Sequence, residues 1–329
     1  MSTRLVFIDW MKVIGIYLII VGHFIIPRPP YIEYIYVFSV PLFFTISGFL
    51  YKQVDSNRKF WIKLFKQLCL PMLAICAVLY IYDSLMALIH HNIVWTDFPR
   101  RLFNVLLGVQ SDNRGNGLQV CWFIYTLICL KILVQYIPHK YLFAILMPVL
   151  IVLIDVLHLV NPMFQCKNSI VISSLCLPFF ALGMLAKKHY DAIVTVIERK
   201  THFTCLFCLL IVMVYIIGHF NGPAWLYQCQ FGKDLVLYIC GGASGTILIF
   251  LISFKLQQYD GKILRVLSSG TIVILGFHQV LFHIVYNIPY ISEYPSFYYV
   301  AGVLVLFAFY PIILFTSKFF PIFLGGRKA

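Results

Sequence analysis

Three ionisable residues lie inside one strongly apolar stretch near the amino terminus. The stretch reads IDWMKVIGIYLIIVGHF and contains Asp9, Lys12 and His23. Lys12 and His23 are eleven positions apart, which in a helix is about 16 Å of rise and close to three whole turns, so both project from one face. Asp9 precedes Lys12 by three positions and shares that face. An imidazole placed in this way could act as a general base toward a weak nucleophile.

The segment that carries these residues is predicted to lie in a membrane. The chain has 329 residues, of which 61% are hydrophobic and 11% are charged, whereas soluble domains are about half apolar and about a quarter charged. A soluble fold of this size could not bury so many apolar side chains, but a membrane protein can expose them to lipid. The composition therefore predicts an integral membrane protein.

Apolar runs that are long enough to cross the hydrocarbon core, which takes about 20 residues, recur along the chain. Ten such runs are present, separated by polar connections, and no stretch resembles a soluble domain. The sequence therefore predicts an all-α fold, a polytopic bundle of about ten transmembrane helices, in a single domain over residues 1–329. The predicted spans are 5–26, 34–51, 66–90, 119–136, 141–160, 168–187, 202–219, 234–254, 271–288 and 297–318.

The distribution of the formal net charge of +13 predicts the orientation of the chain. Lys and Arg cluster in the connections between apolar runs, which is typical of the positive-inside rule and not of a nucleic-acid-binding face. With the N-terminus in the cytoplasm, 19 of the 25 Lys and Arg residues fall on the cytoplasmic side. Both termini are therefore predicted to be cytoplasmic, in a multi-pass protein of the inner (plasma) membrane. The six residues on the outer side are Arg28, Arg100, Arg101, Arg114, Lys167 and Lys233.

The ionisable residues of the first span have two interpretations on these grounds. In the first, Asp9 and Lys12 form an interfacial ion pair, Lys12 extends toward the head groups, and His23 is a hydrogen-bonded structural residue. In the second, all three face the bundle interior, as intramembrane ionisable residues usually do. Further ionisable residues at the outer depth of later spans favour the second interpretation and predict a water-filled cavity that opens outward. These residues are Asp83, Asp155, His158, His219, His278 and His283.

Several motifs, in order along the chain, resemble one family. DWMKVIGIYLIIVGH is similar to the first-helix signature of the acyltransferase 3 family of integral membrane proteins, in which a basic residue, ten further residues and a histidine are matched by Lys12 and His23. Arginine is the commoner basic residue at the position of Lys12. The Asp-Trp-x-Lys start resembles the branch named for fucose 4-O-acetylases. Later matches are FSVPLFFTISGFLY with Ser47, WIKLFKQLCLP with Lys63 and Lys66, CWFIYTL with Trp122, and LSSGTIVILGFHQVLF with His278.

The resemblance implies a reaction. An acyl group, usually acetyl, would move from cytoplasmic acetyl-CoA, as the acyl donor, to a hydroxyl of a cell-envelope glycan or glycolipid. His23 would be the base that takes the hydroxyl proton, or would carry the acyl group covalently. Lys12 and Asp9 would complete the catalytic set, with Lys12 close to the thioester.

The resemblance also implies binding residues and partners. Lys12, Lys63 and Lys66 would bind the donor, because its phosphates need cations on the cytoplasmic side. No metal is expected in the reaction. The expected partners are the glycan or glycolipid acceptor and membrane lipid, with no nucleic acid, and a homo-oligomer is left open. The residues expected to line the acceptor site are Ser47, Trp122 and His278.

Two other functions fit the residues without the resemblance. A transporter or flippase for a glycan or lipid-linked sugar could use intramembrane histidines and aspartates to couple transport to protons. Against it, no pair of Gly/Pro-broken spans recurs in two matching halves. In a non-catalytic scaffold of an envelope assembly, the polar residues would only hold helices together.

The ten cysteines lie mostly inside apolar runs, where they are expected to pack. Cys205 and Cys208 form a CxxC motif, but no second pair follows, so a metal or redox site is not favoured. Cys121, Cys166 and Cys229 are predicted near the outer face. A disulfide among them is left open, because connectivity cannot be deduced from sequence.

Overall fold

The computed structural model describes residues 4–24, 31–89, 97–110, 118–161, 164–286, 294 and 296–326. Within these ranges the chain is α-helical and forms no β-strand, only two isolated bridges. The helices are α1 Val6–Gly22, α2 Ile32–Tyr36, α3 Ser39–Phe49, α4 Asn57–Leu64, α5 Leu70–Ile89, α6 Asp97–Leu107, α7 Trp122–Tyr136, α8 His139–Tyr141, α9 Met147–Val160, α10 Ser169–Lys188, α11 Tyr190–Glu198, α12 Lys200–Asn221, α13 Leu235–Leu256, α14 Lys262–Ser269, α15 Thr271–Tyr286 and α16 Phe297–Phe319.

Short helical turns of other types connect or extend several of these helices. Five-residue π-helical turns, Phe65–Cys69 and Leu142–Leu146, join α4 to α5 and α8 to α9. Both turns keep the chain helical, so each pair of helices continues as one longer segment. The 3₁₀ turns are Gln119–Cys121, Leu226–Gln228 and Pro321–Leu324.

The prediction of an all-α polytopic bundle is confirmed. Among the described residues, eight helical segments are long and apolar enough to cross a membrane, or up to nine if one bent pair counts as a single span. The eight are Ile32–Phe49, Asn57–Ile89, Gln119–Tyr136, His139–Val160, Ser169–Lys188, Lys200–Asn221, Leu235–Leu256 and Phe297–Phe319.

The sequence predicted ten spans, whereas eight helical segments are counted here, and the difference arises at two places. Helix α1 has 17 residues and rises about 26 Å, which is less than the roughly 30 Å of a hydrocarbon core. The segment predicted as 271–288 is the second half of the bent pair, in which Lys262–Ser269 and Thr271–Phe282 meet at 81°. The apolar runs were recognised correctly, but hydropathy alone does not reveal an early helix end or a sharp break.

Successive long helices run in opposite directions, so every second connection lies at the same end of the bundle. Basic residues collect at one of the two ends. This end, here called the basic end, contains the connections after α3, α10 and α13. There the Lys187 ammonium donates a hydrogen bond to the carbonyl oxygen of Tyr51 at 2.9 Å, and Arg265 forms an ion pair with Asp260. The opposite end contains Arg100, Arg101, Lys167 and Lys233, whereas the predicted outer residues Arg28 and Arg114 lie outside the described part of the chain.

Within the described part of the chain, helices α3 and α10 pack more extensively against each other than any other pair of helices. Two glycines bring their backbones together. A Cβ atom on Gly48 would lie 2.0 Å from the carbonyl oxygen of Phe180, and one on Gly183 would lie 2.0 Å from that of Thr45. Small residues at such crossings are what membrane helices use to approach closely.

We expect Gly48→Ala and Gly183→Ala each to destabilise the protein by about 3 kcal/mol, because the methyl group would meet backbone atoms that cannot move away. The measurement is the melting temperature of the purified protein in detergent. Gly261→Ala is the matched control, because nothing lies within 4 Å of a Cβ there. Equal melting temperatures for all three variants would contradict the proposed role of the α3–α10 crossing.

Candidate active site

His23 lies directly after the last residue of α1 and is partly buried. Its Nδ1 is 2.7 Å from the carbonyl oxygen of Ile19, one turn back. Because a carbonyl oxygen can only accept, this contact places the ring hydrogen on Nδ1 and leaves the lone pair on Nε2. The ring is thus held in the tautomer in which Nε2 can accept a proton.

His278 on α15 is completely buried and is held in the same way. Its Nδ1 is 3.0 Å from the carbonyl oxygen of Ile274 and 2.9 Å from that of Leu275. Its Nε2 is buried and has no hydrogen-bond partner among the described residues. A buried polar atom without a partner is uncommon and calls for a functional or solvent explanation.

The two histidine rings contact each other. Their centroids are 4.6 Å apart and their planes meet at 75°, an edge-to-face arrangement. Toward the opposite end, aromatic side chains cover the pair: Phe24 stacks on Tyr298 at 4.5 Å and contacts Phe282 at 4.5 Å. Two imidazoles, each bonded through Nδ1 to its own helix, therefore meet inside the bundle beneath an aromatic layer.

A small cavity of about 50 Å³ lies on the basic side of the histidine pair. Helix α1 contributes Ile16 and Ile19 to its wall, and α15 contributes Thr271 and Leu275. On each helix these residues lie three or four positions apart and form one stripe, and the histidine is the next residue of that stripe. The cavity therefore lies next to the histidine pair. Phe43 and Phe123 complete part of the wall.

Lys12 lies on the same stripe of α1, four positions before Ile16, and is partly buried. Along the helix axis, the cavity is therefore between Lys12 on the basic side and His23 on the opposite side. The helical spacing predicted for Lys12 and His23 is thus present in α1, and the cavity lies between their two levels without either residue in its wall. The sequence predicted a water-filled chamber. The cavity is instead small, and nearly all of its lining is apolar.

Comparison with known proteins agrees with the motifs of the first helix. A family model described as an acyltransferase domain matches residues 5–321. The chain belongs to the acyltransferase 3 family. No curated protein and no solved structure matches the chain. Membership supports a membrane acyltransferase and leaves the donor, the acceptor and the individual residue roles to be inferred.

Asp9, predicted as a catalytic residue of this acyltransferase, makes structural contacts at the basic end. It is 6% exposed, forms an ion pair with Arg4 at 2.5 Å, and accepts a hydrogen bond from the Ser268 hydroxyl. It precedes His23 by fourteen positions, which corresponds to about 21 Å along the helix. Asp9 therefore connects α1 to α14 and does not contact the histidine pair.

The remaining predicted acceptor residues lie at different depths. Ser47 is partly buried near the end of α3 that faces the basic end, so it is remote from His23. Trp122 begins α7 at the opposite end, and its ring centroid is 6.2 Å from that of Phe123. Phe123 contacts Phe44 at 4.7 Å and lines the cavity. With Trp122 it matches the Trp-Phe element of the family, but the sequence did not place it among the site residues.

Lys63 and Lys66, predicted to bind the donor, are exposed at the basic end. Lys63 is on α4 and Lys66 is on the π-helical turn that follows. The other face of this segment buries Phe60, Leu64 and Leu68, so the lysines project away from the core. They are accessible to an anionic ligand, and they do not reach the histidine pair.

The predicted outer cluster of ionisable residues is not assembled around His23, apart from His278. Asp83 accepts hydrogen bonds from Arg101 at 3.0 Å and Gln119 at 2.7 Å. His158 packs on Phe231, with ring centroids 4.4 Å apart. Asp155 is partly buried on α9, His219 is exposed, and the side chain of His283 lies outside the described residues. No group of three potential metal ligands is present among the described residues.

We expect Asp9→Asn and Ser268→Ala to lower stability by about 1–2 kcal/mol, because each removes one partner of a buried hydrogen bond to a carboxylate. Since neither residue contacts the histidine pair, turnover per folded molecule should stay within about twofold of the unsubstituted protein. Melting temperature and acyl transfer normalised to folded protein measure the two effects separately. A large loss of turnover with unchanged stability would instead give Asp9 a catalytic role.

Proposed function

We propose that this acyltransferase moves an acetyl group from acetyl-CoA to a hydroxyl of a cell-envelope glycan or glycolipid, with His23 as the general base. The observation that carries the proposal is the contact between two imidazoles beside a cavity, each bonded through Nδ1 to a carbonyl oxygen of its own helix, which leaves Nε2 to accept a proton. A carbohydrate hydroxyl is a weak nucleophile, and a positioned base contributes about 10²–10⁴-fold in rate. Membership in the family supports acyl transfer as the reaction class.

His23 is the better candidate of the two histidines for contact with substrate. It is partly exposed, whereas His278 has no exposed surface. In the proposed step, Nε2 of His23 takes the hydroxyl proton while the oxygen attacks the thioester carbonyl. The carbon–sulfur bond then breaks, and the thiolate of coenzyme A receives the proton. An acyl-histidine intermediate would use the same nitrogen as nucleophile.

His278 is proposed as a positioning residue. Its edge-to-face contact with His23 restricts the rotation of that ring. A ring held in one orientation keeps Nε2 of His23 directed at the acceptor hydroxyl, and such positioning is a large part of what an active site contributes to rate.

The donor is proposed to enter from the basic end, which we assign to the cytoplasm. Lys63 and Lys66 are exposed there, and Lys12 lies between that end and the cavity. The cavity of about 50 Å³ is smaller than the roughly 300–1,000 Å³ of an ordinary ligand pocket. The thioester end would therefore enter only when the wall that contains Phe43 and Phe123 opens.

The cellular role follows from this orientation. With the basic end in the cytoplasm, the protein is a multi-pass protein of the inner membrane, and it acts on a glycan that is exposed or assembled on the other side. The Asp-Trp-x-Lys start at Asp9 still predicts the branch named for fucose 4-O-acetylases. A carrier or flippase would leave acetyl-CoA unconsumed, so the release of coenzyme A with acceptor distinguishes these functions from the enzyme.

We expect His23→Ala to reduce acetyl transfer at least about 100-fold, because the base is removed, while the amount of protein in the membrane stays the same. The measurements are acetyl groups on the surface glycan by mass spectrometry and acetyl-CoA consumption by isolated membranes. His219→Ala is the matched control, since His219 is exposed at the same end of the bundle and remote in sequence. Full activity of the His23 variant would refute the assignment.

We expect Lys12→Ala to raise the KM for acetyl-CoA by about tenfold, which corresponds to about 1.4 kcal/mol of lost binding, because a cation on the donor path is removed. Lys12→Arg should retain most of the activity, because it preserves the charge. Initial rates at varied acetyl-CoA concentration measure the effect. An unchanged KM in the alanine variant would show that Lys12 only anchors α1 at the interface.

A further inference from the structure

Two cysteines from separate connections meet at the end of the bundle that lies opposite the basic end. Cys166 lies in the connection between α9 and α10, and Cys229 lies in the connection between α12 and α13. The main-chain N–H of Cys166 donates to the carbonyl oxygen of Gln228 at 3.1 Å. The side chains lie close enough for each thiol to shift the pKa of the other. Residues 63 positions apart in sequence therefore lie next to each other.

The backbone around Cys229 is held by several contacts. Its N–H donates to the carbonyl oxygen of Leu226 at 2.9 Å, at the end of a 3₁₀ turn. An isolated bridge joins Trp225 to Gln230 across this turn. Cys229 itself has a φ of +60°, in the left-handed region that few residues other than glycine adopt. The turn therefore presents a cysteine side chain in a fixed direction, toward Cys166.

The two thiols differ in pKa and in exposure, and this difference suits thiol–disulfide exchange. The pKa of the Cys166 thiol is lowered to about 6, because the Cys229 thiol donates a hydrogen bond to it and the N–H of Asn168 contributes a second. The same contact, together with burial, raises the pKa of Cys229. Cys166 is partly exposed, so its thiolate is accessible to an external oxidant, whereas Cys229 has no exposed surface. Accessible thiolates are the ones that react.

Two other pairs of cysteines lack either accessibility or a position beyond the helix ends. Cys76 and Cys121 also have their thiols in contact, but both are buried in the core of the bundle. Cys205 and Cys208 are exposed along α12, within the predicted span 202–219. The contact between Cys166 and Cys229 thus combines proximity, accessibility and a position beyond the helix ends.

We propose that Cys166 and Cys229 form a disulfide that ties the α9–α10 connection to the α12–α13 connection. The proposal rests on the orientation proposed above, which places these residues on the non-cytoplasmic side, where disulfides persist. The oxidant is a protein thiol–disulfide oxidase. The Cys166 thiolate attacks the disulfide of the oxidase to give a mixed disulfide, and the Cys229 thiol loses its proton and attacks the Cys166 sulfur. Two electrons and two protons leave the chain, and the oxidase is released as a dithiol.

A link between positions so far apart restricts the unfolded chain more strongly than a short loop would. It also joins the two connections that flank α10 and α13 at their shared end. We therefore expect the disulfide to stabilise the opposite end of the bundle without entering the chemistry of the histidine pair.

The test uses cells that express the full chain, treated with a membrane-impermeant maleimide before or after an impermeant phosphine reductant. Peptide mass spectrometry then identifies labelled and linked cysteines. The expected result is a linked peptide that contains Cys166 and Cys229, with Cys166 labelled only after reduction. Cys229→Ser should allow labelling of Cys166 without reduction and should melt at the temperature of the reduced protein. Cys205→Ser, the control, should leave the link intact.

Three outcomes would overturn the proposal. Labelling of Cys166 in intact, unreduced cells would show an outward-facing but free thiol. Labelling only after lysis would show that the orientation is reversed. A link between Cys76 and Cys121, with Cys166 free, would assign the disulfide to the wrong pair. Acetyl transfer measured in the same membranes tests the proposed enzyme independently of all three outcomes.

Discussion

The hydrocarbon core contains no water, so every polar group within it needs a partner in the protein. Several short polar side chains of this bundle meet the requirement by bonding to the backbone of their own helix. Thr45 and Thr316 each donate to the carbonyl oxygen one turn back, at 3.1 and 2.7 Å. His23 and His278 do the same through Nδ1. For a hydroxyl this bond only satisfies the donor, but for an imidazole it also selects the tautomer and exposes Nε2 as the reactive atom.

The broken helix explains how the second histidine reaches the first. Helix α14 packs against α1 at the basic end, where Ser268 bonds to Asp9. After the 81° bend, α15 meets α1 again at the level of the histidine pair. The two helices of this bent pair thus contact both ends of α1. The Asp9–Ser268 bond joins α1 to the first of these helices, close to the break.

The interior around the candidate site is apolar, which has consequences for the chemistry. A cavity lined by isoleucine, leucine and phenylalanine excludes water better than a polar one does, and water would compete with the acceptor for the thioester. Electrostatic interactions are also stronger where water is absent. The small number of polar atoms at the histidine pair therefore supports the acyl transfer proposed above over hydrolysis.

The sequence by itself determined the fold class, the common face of Lys12 and His23, and the family, because apolar run length, helical periodicity and ordered motifs are local properties. It also predicted an approximate depth for each ionisable residue. Only the tertiary structure decided which of these residues meet, because depth does not specify the direction in which a helix face points. His278 turns toward His23, His219 turns outward, and Asp83 turns to Arg101. The rotation and bending of each helix arise from packing, as at the glycines of the α3–α10 crossing and at the break before α15, and no single segment encodes them.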